Sequence, residues 1–489
     1  MMSIEGEIAR TEAHELHRTL GPWQLIALGI GAIIGAGIFV ITGHAAAAYA
    51  GPGVVISFMI AGLGCLFAGL CYAEFAAMIP VAGSAYTYTY ATFGQSNANL
   101  GRFLAWFIGW NLVLEYLAAA STVAVGWSGY FNELLGSFGL RIPAVFSSAP
   151  VAMTSFTDMT ATGAVLNLPA MAIIAIASTL LVIGIKASAQ FNSVMVAIKL
   201  VIVVLVIIFG LPLIRFENLT PFIPPNTGTW GEFGWSGVFR ATGVIFFAYI
   251  GFDAVSVAAQ EARNPRRDVP IGILGSLLIC TVLYILMSLT MTGLAKYTTL
   301  NVPHPVFVAI ESAGPQLAWL GFFVNVGAVV GLASVVLVLL LGQSRIFYAM
   351  SRDGLFFQVF SDIHPRFRTP WVGTIITGGF AALLAGIFPL GILGELVSIG
   401  TLLAFAIVCT AVLVLRKSAP HVPRPFRVRA IWIVAPLGIG MCVFMMAFLP
   451  LDTWLRLLGW TIIGLAIYAL YGARNSKPPQ WVLHKQPAE

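Results

Sequence analysis

Long apolar runs dominate the chain, separated by short polar links. The runs begin near Trp23, Gly53, Phe103, Leu168, Phe191, Val238, Ile271, Trp319, Val372, Ile392, Ile431 and Trp454. A helix rises about 1.5 Å per residue, so roughly 20 apolar residues cross the hydrocarbon core. Most runs reach that length; Leu168 to Gly184 and Val372 to Phe388 are the shortest. The pattern predicts an all-α, polytopic membrane protein with twelve transmembrane helices. An even number puts both termini on one side. The longest links, near 126–167 and 216–237, are external and carry no independent domain, so the chemistry lies within the bilayer.

Composition narrows the picture. Of 489 residues, 59% are hydrophobic and 9% charged, against about a quarter charged in a soluble domain. A soluble enzyme or a disordered scaffold is excluded. The net charge of +6 points toward nucleic acid only until the basic residues are sorted by side. One side collects the tails and the links with Arg102, Lys186, Arg263, Arg266, Arg267, Arg345, Arg352, Arg366, Arg368, Arg416, Lys417, Arg424, Arg427 and Arg429. The other holds Arg141, Arg215, Arg240, Lys296 and Arg456. That asymmetry predicts a cell-membrane protein with cytoplasmic termini. The arginines of the link after the eighth run are read as topology signals. The polar, acidic start does not read as a cleavable signal. Cys65, Cys71, Cys280, Cys409 and Cys442 lie in apolar runs, so a disulfide framework is not expected.

Ionisable residues inside spans cost roughly 3 kcal/mol each on insertion scales and are candidate functional groups. Four stand out: Glu74, Glu115, Lys199 and Asp253. Glu74, near a span end, reads as a salt-bridge partner for a loop arginine. Glu115 precedes Ala118, Ala119 and Ala120, which let neighbouring helices close around it. It reads either as a structural partner of Lys199 or of a buried hydroxyl, or as a substrate- or proton-linked carboxylate. Lys199 has no carboxylate within a helical turn, so its acceptors must come from another helix or from backbone carbonyls. Glu395 is expected at the interface, and His44 just outside the first span.

Glycines mark the first run, at Gly29, Gly31, Gly35 and Gly37, where each weakens a helix by about 1 kcal/mol. The Gly31-to-Gly35 spacing also suits close helix packing. The sixth run is interrupted at Gly251 and Asp253. Two interrupted helices five apart are expected of inverted repeats with a binding site between them. Free N–H groups at such breaks suit a carboxylate and free carbonyls an ammonium, which together fit the head of an amino acid. Glycine at 35 and 37 is expected to supply the non-helical backbone angles.

Four stretches, GIGAIIGAGIFVITG, AGLCYAEFAAMIPVAGSAYTYTYATFG, FFAYIGFDAVSVAAQEARNPRRDVPIGI and GQSRIFYAMSRDGLFF, resemble the cationic amino acid transporter family of the amino acid–polyamine–organocation superfamily. The resemblance runs from about residue 20 to 470. It implies a leucine-transporter-type fold: helices 1–5 within 22–215, helices 6–10 within 216–417 as the inverted repeat, helices 11–12 within 418–473, and tails 1–21 and 474–489. It implies that the substrate carboxylate meets the backbone at Ile34, Gly35, Ala36 and Gly37. The amino group meets carbonyls at Ile33, Phe247, Ala248 and Ile250. Lys199 matches the lysine that replaces a bound cation in proton-driven members, and Glu115 and Asp253 match acids of the side-chain pocket. Gln260 replaces a family glutamate, and Ala36 a threonine of some bacterial relatives, so preference between cationic and small neutral amino acids stays open.

The expected function is proton-coupled amino acid import by a secondary active permease, with an exchanger or a transporter-like sensor as the alternative. An enzyme is not expected, because the histidines are scattered and no HExxH or serine–lysine dyad occurs; no Walker-type glycine loop occurs either. A channel lacks its symmetric ring of ligands. No cofactor beyond the proton gradient and no metal is expected. The partners are L-amino acids and membrane lipid, without nucleic acid; a small accessory membrane subunit would leave no mark in the sequence. Tyr86, Tyr88 and Tyr90 alternate, which predicts a packed loop rather than a ligand cage.

Overall fold

The computed structural model describes residues 20–78, 84–94, 98–155, 158–184, 189–257, 259 and 262–475. Most of both predicted tails, together with Lys186 and Gln260, lies outside the described residues. Each predicted apolar run contains a helix. They are α1 (Pro22–Ile33), α2 (Val54–Met78), α3 (Ala98–Gly136), α4 (Leu168–Ile183), α5 (Ala189–Gly210) and α6 (Gly234–Ile245). Then follow α7 (Pro265–Leu294), α8 (Ala318–Arg352), α9 (Trp371–Ile387), α10 (Leu390–Ser418), α11 (Ile431–Ala447) and α12 (Leu451–Ile467). Among the described residues, seven helical stretches are long and apolar enough to cross a membrane, and α1, α4, α9 and α11 are shorter apolar helices. Large side chains such as Leu278, Phe380, Ile433 and Ile462 point outward and exposed. Water would penalise that surface; lipid covers it.

Local signals set the helix ends. The side chain of Asn167 accepts from Ala170 N at 3.2 Å, Pro169 sits in the first turn, and Gly184 ends α4 with φ 81°. That left-handed angle favours glycine. A short antiparallel hairpin pairs Val151–Ser155 with Asp158–Ala161 in the link before α4. Two expectations are corrected. α3 continues to Gly136, so residues 126–136 are helix and not link; Tyr130 and Trp127 pack inward there and extend the buried stripe. The tyrosine segment is likewise a helix, Ser84–Phe93. Tyr88 stacks on Phe75 of α2, and Tyr86 donates to Asp353 beyond α8 at 2.8 Å. Tertiary partners on different sides override the alternating pattern.

Glu74 pairs with Arg416 through Nε at 2.9 Å and Nη2 at 2.6 Å, and accepts from Val428 N at 2.9 Å. The salt bridge to a loop arginine expected of it is present, since Arg424 of the link after α10 pairs at 3.6 Å, and Arg416 in the last turn of α10 adds a second. The bidentate Arg416 pair ties α2 to α10, the Val428 bond ties it to the following link, and together they satisfy charges that burial would otherwise penalise.

Candidate functional site

The first apolar run breaks where its glycines predict a break. α1 stops at Ile33, Ile34 is extended with ψ 98°, and helix resumes at Gly37 as a π turn. The restarted helix leaves its first N–H groups without intrahelical acceptors, and α1 leaves its last carbonyls without donors. Lys199 of α5 fills part of that vacancy. Its Nζ donates to Gly31 O at 3.0 Å and to Ile34 O at 3.2 Å, and the side chain is 2% exposed. The acceptors are therefore backbone carbonyls on another helix, and Glu115 is not among them. Gly331 of α8 makes room: a Cβ there would lie 2.6 Å from Lys199 Cγ. Gly331 carries no motif that marks it in the sequence.

The sixth run breaks in the same zone. α6 tightens into a 3-10 turn at Phe246–Tyr249, and Ile250 is extended with ψ 137°. Gly251 has φ 116°. A Cβ on Gly251 would lie 2.7 Å from Ala32 O, so glycine is needed there for both angle and space. The two breaks touch. A Cβ on Gly37 would collide with the Cα and Cβ of Ala248. Neither Gly35 nor Gly37 has a positive φ, which corrects the expectation about backbone angles: Gly37 serves close approach. Gly35 meets Val335 of α8 at an ordinary 3.5 Å, again measured to a Cβ built on the glycine.

Tyr284 of α7 joins the breaks directly. Its hydroxyl lies 2.8 Å from Ile33 O and 2.7 Å from Ala248 O. Both carbonyls are among those expected to receive an ammonium, and each retains a second lone pair. Phe247 O instead accepts from Ile250 N at 3.2 Å within its own turn. Tyr284 escaped the sequence reading because a tyrosine in an apolar helix is unremarkable until its hydroxyl finds a partner. Replacing Tyr284 with Phe should cost about 1 kcal/mol of stability and weaken substrate binding by loosening both carbonyls. Melting temperatures with and without substrate check both effects; a variant unchanged in each would show the bridge to be idle.

Glu115 and Asp253 are buried and lie close enough to feel one another's charge, with the Thr401 hydroxyl beside Glu115. Tyr72 and Tyr116 lie in the field of both acids. Glu395, near the start of α10, is buried among protein groups. It receives Arg240 at 3.3 Å, Thr453 at 2.8 Å and Tyr49 at 3.4 Å, and pairs with Arg456 at 3.5 Å. His44 joins this network through Tyr49 at 3.4 Å and contacts Asn301 at 2.9 Å. The outer halves of both broken runs are thus tied to α10 and α12.

A multi-pass helical bundle with two backbone breaks meeting at its centre is the architecture of a membrane transporter. The sequence profile described as amino acid permease matches residues 20–470, and the chain belongs to that family. It is 45% identical over 473 residues to the methylthioribose transporter of Bacillus subtilis, covering 97% of each chain. It is also 45% identical over 477 residues to the branched-chain amino acid permease BcaP of the same organism, again covering 97% of each. Human cationic amino acid transporter 4 is 37% identical over 416 residues, which is 84% of this chain and 62% of the human one. These relatives are transporters, not enzymes.

Proposed function

We propose that this chain is a secondary active permease importing amino acids with protons by alternating access, in the cell membrane with both termini cytoplasmic. Lys199 carries the proposal. Its ammonium holds the two acceptors that the first break exposes, where a mobile cation would otherwise be needed. A charge that the protein owns is neutralised when the ammonium releases a proton and restored when the amine takes one up, so a proton gradient is the coupling source and no other cofactor is required. The Ile34 N–H already donates to Ile30 O at 2.8 Å, so the substrate carboxylate meets the N–H groups from Gly35 to Gly37. Its ammonium uses the free lone pairs of Ile33 and Ala248, with Ile250 alongside. The pairing of α2 with α7 and of α3 with α8, among the most extensive contacts in the bundle, supports inverted repeats 22–215 and 216–417, because each pair joins helices five apart. Helices 418–473 are appended.

Arginine and lysine suit the paired acids Glu115 and Asp253; alanine fits the same backbone site without using them. The relatives named for branched-chain amino acids and for methylthioribose bring neutral substrates into the same test. Counterflow of radiolabelled arginine, lysine, alanine, leucine and methylthioribose in proteoliposomes, with imposed proton or sodium gradients, tests this function. Proton-driven uptake of any of these amino acids without sodium supports it; sodium-dependent uptake, uptake of methylthioribose alone, or binding without transport overturns it. Replacing Glu115 by Gln or Asp253 by Asn should weaken arginine about tenfold more than alanine, since one charge-assisted contact is worth about that much. Equal losses would assign the acids to structure or to proton transfer.

A further inference from the structure

The bundle contains buried amide groups that nothing described in it satisfies. Gln343 of α8 is 1% exposed, and neither its oxygen nor its nitrogen has a partner. Asn111 of α3 is also 1% exposed; its Nδ2 donates to Phe107 O at 2.8 Å, while its Oδ1 is unpaired. Buried polar groups are normally hydrogen-bonded, and each exception calls for an explanation such as a missing ligand.

Their positions supply one. α3 and α8 are antiparallel neighbours, and a Cβ on Gly342 would meet the Tyr116 ring at 2.6 Å. Tyr116 lies in the field of both Glu115 and Asp253, so Gln343 stands at the depth of the acid pair. Asn111 is one helical turn from Glu115 on the same face of α3. Its backbone carbonyl faces Gly400, whose neighbour Thr401 stands beside Glu115. These two amides thus lie within about one helical turn of Glu115 in depth, on the neighbouring helices α3 and α8.

We propose that Gln343 and Asn111 form the far wall of the side-chain pocket and bind a planar, nitrogen-rich terminus, such as a guanidinium or ureido group. The two amide oxygens accept its N–H groups, and the Gln343 nitrogen donates to a ureido oxygen or to a carboxylate of the acid pair. The acids read charge; the amides read hydrogen-bonding shape. This rests on the permease function proposed above. The test compares arginine, its uncharged ureido counterpart citrulline, and alanine, by thermal-shift titration and counterflow on the purified full chain. Gln343→Met preserves side-chain length and removes the hydrogen bonds. It should weaken arginine and citrulline at least about tenfold relative to alanine, without lowering the ligand-free melting temperature, because an orphan is removed rather than a bond. Asn111→Ala should show the same ratio and serves if the first variant does not fold. Losses equal for all three substrates, or no loss, overturn the proposal. So does a wild-type protein that binds alanine but neither long substrate, which leaves the permease function standing. Binding of no amino acid at all would overturn the permease function itself.

Discussion

Replacing Lys199 with alanine should abolish uphill uptake. The change removes a buried ammonium and strands the carbonyls of Gly31 and Ile34, at about 1–3 kcal/mol for each buried acceptor left unsatisfied. Stability therefore falls as well, and a lost signal could reflect unfolding. Lys199→Gln separates the two effects: its amide donates to the same region but takes no part in proton exchange at ordinary pH. The glutamine variant should keep a near-normal melting temperature and retain counterflow, while a proton gradient no longer concentrates substrate. Accumulation ratios in proteoliposomes, with and without an inward proton gradient, decide the matter. Proton-driven accumulation by the glutamine variant would remove Lys199 from coupling.

Gly37→Val should eliminate substrate binding and lower thermal stability together. The added atoms meet the Cα of Ala248, which is backbone and cannot rotate away, so the cost lies at or above the upper end of the roughly 1–3 kcal/mol typical of overpacking. The clash pushes apart the two breaks whose contact shapes the site. Gly35→Ala is the control, because its Cβ finds only an ordinary contact with Val335. It should stay folded. Melting curves with and without substrate distinguish the cases; a Gly37→Val protein of normal stability that substrate still stabilises would show that the breaks need not touch.

Much of this architecture is legible from residues alone. The apolar runs mark the helices because lipid demands length and hydrophobicity in a continuous stretch. The glycines of the first run and Gly251 mark the breaks, since backbone weakness is a local property. Lys199 and Glu115 announce themselves because a charge in an apolar run is expensive wherever the helix goes. Closeness to a span end says nothing of burial, so the burial of Glu395 depends on Arg240 and Arg456 arriving from other helices. The reason for Gly37 was also misread, because a need for space looks identical in sequence to a need for unusual angles.

The class of fold, the location of the two breaks and the residues whose charge must be accommodated are all set locally, because each follows from a cost paid within one segment. Which groups meet those demands depends on how the helices pack: Lys199 on the carbonyls of the first break, Tyr284 across both breaks, and Gly331 clearing a path for the lysine. The packing also reveals the unsatisfied amides of Asn111 and Gln343. Hydrogen-bond partners are supplied by helices far apart in the chain, and an amide in an apolar run does not disclose whether a partner awaits it.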